Sequence, residues 1–248
     1  MPLSLYAVPW SARGSGGEVR NGAPKGAAKS TRRRIYTTAS EDRLERLIEE
    51  RLKADEAGKK RIDERIWDLF GEDWCVMFTD LSGFSRRVAE FGIIHFLQTI
   101  QESERLLVPV IEEHDGVLLK VEGDSFLVIF RNPKKGLQCA VEMQRALAAY
   151  DADKSEEEKV LLCVGLGYGR MLRIGDADVY GAEVNAASKL GEDRAKAWEI
   201  LVTGTMRDLC ADMEEVSFAE IGEAPAGCER AYKAGYALKT SPRRSSIA

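Results

Sequence analysis

The chain has 248 residues, 44% hydrophobic and 31% charged, a globular composition with no apolar run near the ~18 residues of a membrane span. Its net charge of -5 is uneven: residues 1–40 carry seven Lys/Arg and one Glu, the rest 29 basic against 40 acidic side chains, and an acidic body disfavours duplex nucleic acid as a partner. With only His95 and His114, His-rich zinc sites and His-based triads are disfavoured; five cysteines without a C-x-x-C or a signal-peptide core predict free thiols in a reducing cytoplasm.

Residues 1–40, rich in Gly, Ser, Ala and Arg, read as a disordered basic arm. Its Arg32-Arg33-Arg34 is either a solvated tail or a contact for nucleic acid or an anionic membrane. Ser40 reads as an N-cap, and residues 41–71 as a helical segment divided at Gly58. One apolar stripe is Leu44, Leu47, Ile48 and Leu52; the other is Ile62, Ile66, Leu69 and Phe70. That segment suits a solvated helix or a helical pair used in dimerisation. Trp67 and Trp74 are expected to pack it on the sheet that follows.

Residues 74–81 predict a strand, and 85–113 a helical region kinked or broken at Pro109. "GVLLKVEGDSFLVIF" (116–130) predicts a β-hairpin turning at Glu122-Gly123. Residues 133–149 predict an amphipathic helix and 161–169 a strand; "GLGYG" within it lacks dinucleotide-binding spacing and reads as strand and turn. A helix around 182–195 and strands at 199–203, 217–221 and 231–238 follow, with 241–248 a disordered tail. The order is β-α-β-β-α-β, a ferredoxin-like α+β core with a C-terminal extension, over residues 72–240.

Asp80 ends the first strand, before the turn Ser82-Gly83-Phe84, and Asp124 sits on the hairpin. In a split βαβ fold those two strands are neighbours, so the carboxylates face each other across a few ångströms. Two hard oxygen ligands beside glycines suit Mg²⁺ or Mn²⁺. The alternative is that Asp80 caps a helix and Asp124 only shapes a turn.

"FTDLSGFS", "KVEGDSFLVIF" and "DVYGAEVNAASKL" together resemble the signature blocks of the class III adenylate/guanylate cyclase catalytic domain. The resemblance implies that Asp80, Asp124 and the Leu81 carbonyl hold two Mg²⁺ or Mn²⁺ ions per site. It implies that Lys120 and Asp178 read an adenine base, that Gly83 and Phe84 lie against substrate, and that Asn185 positions the ribose. Lys189 stands where the family has a transition-state arginine; taken by itself, it reads equally as a solvated helix residue. The implied reaction converts ATP to cyclic AMP and pyrophosphate. Lys120 and Asp124 belong to opposite sides of the nucleotide in that family, so the resemblance implies a homodimer with shared sites. A catalytically silent, nucleotide-binding or regulatory module is the alternative, and a nucleic-acid-associated protein led by its basic arm a third reading.

Overall fold

The computed structural model describes residues 39–238; the basic arm and the C-terminal tail read from the sequence lie outside them. Helices α1 (Ala39–Lys53) and α2 (Glu56–Phe70) run antiparallel, and Arg51 holds Asp63 between them. The division falls at Asp55, not at Gly58. The Asp55 carboxylate accepts the Gly58 N–H and caps α2, satisfying an otherwise orphaned donor. Ser40, expected as a cap, lies inside α1. Leu47, Ile66 and Phe70 are buried with Ile174 and seat the pair on the sheet, whereas Ile48, Leu52 and Leu69 of the same stripes stay exposed.

The core follows in the expected order: β1 (Gly71–Leu81), α3 (Phe84–Phe91), α4 (Ile93–Glu113), β2 (Val117–Glu122), β3 (Ser125–Phe130), α5 (Pro133–Asp151) and β4 (Leu162–Ile174). The helical region after β1 breaks at Gly92, at φ +86°, and not at Pro109, which sits within α4. Buried Leu107, Val110 and Ile111 flank that proline and hold the helix through it. The extension comprises β5 (Asp178–Tyr180), α6 (Ala182–Ser188), a π-helical turn (Lys189–Arg194), β6 (Ile200–Thr203), α7 (Gly204–Leu209), β7 (Val216–Glu220) and β8 (Ala231–Tyr236). One sheet runs β2-β3-β1-β4-β6-β8-β7, with β5 paired to β4. Among the described residues no helix is long and apolar enough to cross a membrane.

Strand alternation sorts the side chains onto two faces. Cys75 and Met77 of β1, and Phe126, Val128 and Phe130 of β3, pack against α4 and α5 in the main core. Trp74 and Val76 of β1, with Leu127 and Ile129 of β3, point the other way, toward β5 and α6. Trp74 therefore packs under α6 rather than under the helical pair, and Trp67 remains partly exposed beside Arg170. On β4 the second face is glycine. A Cβ on Gly165 would stand 2.2 Å from the Ala187 carbonyl oxygen and 2.3 Å from the Gly191 nitrogen, so α6 and the π-turn rest directly on the strand. The "GLGYG" run is thus strand throughout, and its Gly165 serves close approach.

Candidate active site

The second face carries Asp80, and α6 and the π-turn that cover it carry Asn185 and Lys189; Leu81 packs in the main core, and Asp178 pairs with Ile174 on the other side of β5 from Val179. Asp80 shares its parity with Trp74, Val76 and Phe78, so it points to the α6 side at the end of β1. Beyond the last β1–β3 pair, Phe78 with Leu127, the Thr79 hydroxyl takes over as acceptor for the Phe126 N–H. Asp124 occupies the two-residue hairpin turn after Gly123, whose φ of +61° suits glycine. The two carboxyl groups hydrogen-bond to each other, and the Leu81 N–H donates to both. Burial, then the charges of Asp124 and Glu192, push Asp80 up to about 7. Burial also raises Asp124, which accepts the bond from Asp80, so near neutral pH the pair is only partly ionised.

Lys120 reaches the same face through a defect in the hairpin. Leu118 pairs with Val128, but Lys120 pairs with Leu127, so Leu119 is an inserted bulge residue. Without the insertion Lys120 would oppose Phe126 and point into the main core. With it, Lys120 stands opposite Leu127 on the α6 side and binds Asp178 at 2.6 Å. Burial depresses the Lys120 ammonium, but Asp178 more than offsets it and the pKa is raised. Asp178 also accepts its neighbour's N–H, from Val179, at 2.9 Å. The Tyr180 phenol lies beside this carboxylate, its pKa raised by burial and then by Asp178. Tyr180 and Glu192 are neighbours that sequence reasoning missed; a tyrosine two residues from Asp178 on a strand was the available signal for the first.

Asn185 lies on exposed α6, its amide donating to the Ala226 carbonyl at 2.9 Å. Lys189 opens the π-turn, where Ser188 donates to Glu192 across one turn. Wider turns of this kind recur at functional sites because they rotate the residues that follow. Gly83 takes φ +85° between β1 and α3, and Phe84 begins α3 with its side chain outside the described set.

The described residues form two groups. The charged neighbours of Asp80 are Asp124 and Glu192; those of Lys120 are Asp178, Glu122 and Tyr180. Glu122 borders both groups, 3.8 Å from Lys120 and among the charges that act on Glu192. Among the described residues no three His, Cys, Asp or Glu cluster as a metal cage. The Asp80–Asp124 pair nevertheless suits a divalent cation: two crowded oxygen donors, both raised by burial and Asp80 further by the charge of Asp124, are what a hard cation relieves, with substrate oxygens completing its shell.

That geometry fixes a pH dependence. Asp80 has a folded pKa above its unfolded value, so between about pH 4 and 7 the folded state binds more protons. Stability of the metal-free protein is therefore expected to fall as pH rises through that window, Asp124 acting in the same direction. Differential scanning calorimetry in EDTA from pH 5.5 to 8 checks this. Mn²⁺ should restore the lost Tm at pH 8 and do little at pH 5.5; a Tm independent of Mn²⁺ at both would refute the site.

Residues 71–238 match the family model for the adenylate and guanylate cyclase catalytic domain. The chain is 31% identical over 132 residues to the serine/threonine-protein kinase pkn2 of Myxococcus xanthus, covering 53% of this chain and 16% of that protein. It is 32% identical over 120 residues to an adenylate cyclase of Glutamicibacter nicotianae, covering 47% of this chain and 27% of that one. The chain thus spans well under a third of the length of either relative. In fold it is similar to an adenylate/guanylate cyclase/hydrolase structure from Silicibacter pomeroyi, with TM-score 0.57 and 23% identity, over 66% of this chain and 96% of that one.

Proposed function

Because this chain belongs to the adenylate and guanylate cyclase catalytic domain family, we propose that it converts ATP into cyclic AMP and pyrophosphate at sites shared by two copies of itself. The observation that carries the choice of ATP is the Lys120–Asp178 ion pair, in which Asp178 stands beside Ile174 on β5. Adenine offers an amino donor beside a ring acceptor; guanine offers a carbonyl beside an N–H. A carboxylate acceptor next to an ammonium donor complements the first pattern and opposes the second. Two Mg²⁺ or Mn²⁺ ions, when bound, would supply charge to the attacking and leaving oxygens and lower the pKa of the ribose 3′-hydroxyl.

Asp80, Asp124 and the Leu81 carbonyl would hold those ions. Asn185 would orient the ribose, so that the 3′-oxygen lies in line with the α-phosphorus. Lys189 would offset charge on the phosphoryl oxygens, and Gly83 and Phe84 would lie along the triphosphate. Lys120 and Asp124 match positions that this family uses on opposite sides of the nucleotide, which supports a homodimer in which each site draws metal ligands from one copy and base readers from the other. Five free thiols, four of them buried, support a reducing, cytoplasmic setting.

Incubation with each nucleoside triphosphate and Mn²⁺, with mass detection of products, tests the reading. Cyclic AMP should dominate, and Lys120→Glu should erode the preference over GTP. Equal rates of the unmodified protein with ATP and GTP would refute the assignment of Lys120 and Asp178.

A second reading, nucleotide binding without turnover, is favoured by Lys189. An ammonium is a point charge, where a guanidinium would hold two phosphoryl oxygens in a fixed fork. Lys189→Arg is expected to raise kcat by about tenfold with little change in KM, since the gain would arise in the transition state. A variant that binds ATP and still forms no cyclic product would favour the silent module.

A further inference from the structure

We propose that α1, a helix that precedes the matched family segment, forms one wall of the base-binding cleft, with Ile48 and Leu44 packing on the purine face whose edge Lys120 and Asp178 read. This deepens the proposed nucleotide site and rests on that reading. The cleft measures about 520 Å³ and is lined from one side by Leu44 and Ile48 and from the other by Lys120, Asp178, Ile174 and Tyr180. That size lies within the roughly 300–1,000 Å³ usual for small-molecule sites.

A purine has polar edges and apolar faces. An ion pair can select an edge, but a base whose faces remain in water gains little from being selected. The core of the family domain supplies the edge readers here, and α1 supplies the missing faces. Ile48 is 43% exposed and Tyr180 51% exposed, both lining the cleft with Lys120 and Asp178, although the neighbouring Leu47 of α1 is buried at 2%. The wall is rigid, because Leu47 is locked among Ile66, Phe70 and Ile174, and Arg51 binds Asp63 of α2. Glu41 and Glu45 of α1 also border the cleft. Their charge repels a triphosphate and so favours entry of the base rather than the phosphates.

Steady-state kinetics of the full chain with ATP and GTP test the wall, using Ile48→Ser beside Leu52→Ser. Leu52 is 78% exposed one turn further along α1 and lines only the neighbouring groove. Ile48→Ser is expected to raise KM about tenfold for both nucleotides, with kcat within twofold, because a wall contacts the shared ring face and not the distinguishing edge. Leu52→Ser should leave both parameters unchanged. Titration with the non-cyclising analogue α,β-methylene-ATP should show the same tenfold loss on Ile48→Ser, independent of turnover.

Unchanged KM and analogue affinity in Ile48→Ser overturn the wall while leaving cyclase activity of the unmodified protein intact. Loss of kcat with dissociation to monomers in sedimentation also overturns it, since Ile48 would then be covered by the second copy. If the unmodified chain forms no cyclic nucleotide, the analogue titration alone decides: a tenfold loss sustains the wall in a binding module, and no binding by the unmodified chain ends both readings.

Discussion

Asp80→Asn is expected to lower cyclisation by ~10²–10³-fold and, in the absence of metal at pH 8, to raise the Tm. The two effects have opposite signs because they arise from the same crowding. In the folded protein Asp80 is pushed up to about 7 by burial and by Asp124 and Glu192, so its charged form works against folding at pH 8. An amide keeps the shape and removes that charge, which relieves the metal-free fold. It also removes an oxygen ligand with full negative charge, which the proposed chemistry requires. Asp124→Asn should behave alike, since burial raises that carboxyl too. Activity by mass detection of cyclic AMP and Tm by calorimetry in EDTA read the two arms. Full activity in either variant would end the two-ion reading; lost activity with a lowered Tm would mark Asp80 as structural instead.

Co-expressed Asp124→Ala and Asn185→Ala chains, each inactive alone, are expected to yield a heterodimer with roughly half the activity of the unmodified dimer. One of its two sites takes intact metal ligands from the Asn185→Ala chain and intact Asn185, Lys120 and Asp178 from the Asp124→Ala chain. The other site collects both defects. Asn185 lies exposed on α6 and Asp124 in a hairpin turn, so neither substitution empties core volume. Purification through two different tags isolates the mixed dimer, and its kcat per dimer is the readout. A recovered heterodimer as inactive as its parents, with an active unmodified dimer, would confine each site to one chain.

Much of the arrangement is legible in the sequence. β1 and the hairpin strand β3 are neighbours and Asp80 meets Asp124, because alternation and the βαββαβ order constrain strands strongly; the meeting of Lys120 with Asp178 is implied only by the family resemblance. What escaped was local competition among signals. Gly58 and Pro109 are strong helix breakers by intrinsic preference, yet Asp55 caps α2 three residues before Gly58, and a buried helix face carries α4 past Pro109. Gly92, with its positive φ, made the break instead. The bulge at Leu119 leaves no mark in "KVEGD", since an inserted residue looks like any other until its partners are known. The π-turn at Lys189 is hidden likewise: "NAASKLGEDR" scores as plain helix, and it is Gly191 lying against Gly165 that permits the wider turn. The approach of α1 to Lys120 and Asp178 depends on tertiary packing through Ile174, which no local pattern encodes.

The bare glycine face of β4 has a consequence for tolerance. A helix seated on interlocking side chains rides up or down as those side chains vary, and whatever it carries moves with it. α6 packs on side chains of β1 and β3 along one flank, but it and its π-turn also meet β4 at Gly165 and β1 at the Phe78 carbonyl, backbone to backbone. The height of Asn185 and Lys189 above the sheet is therefore referenced to the main chain, which hardly changes between sequences. Drift in the cores around it alters stability without shifting that datum. A single methyl group at position 165 would raise the whole assembly, so the molecule concentrates its mechanical precision into a few glycine contacts and leaves the surrounding packing freer to vary.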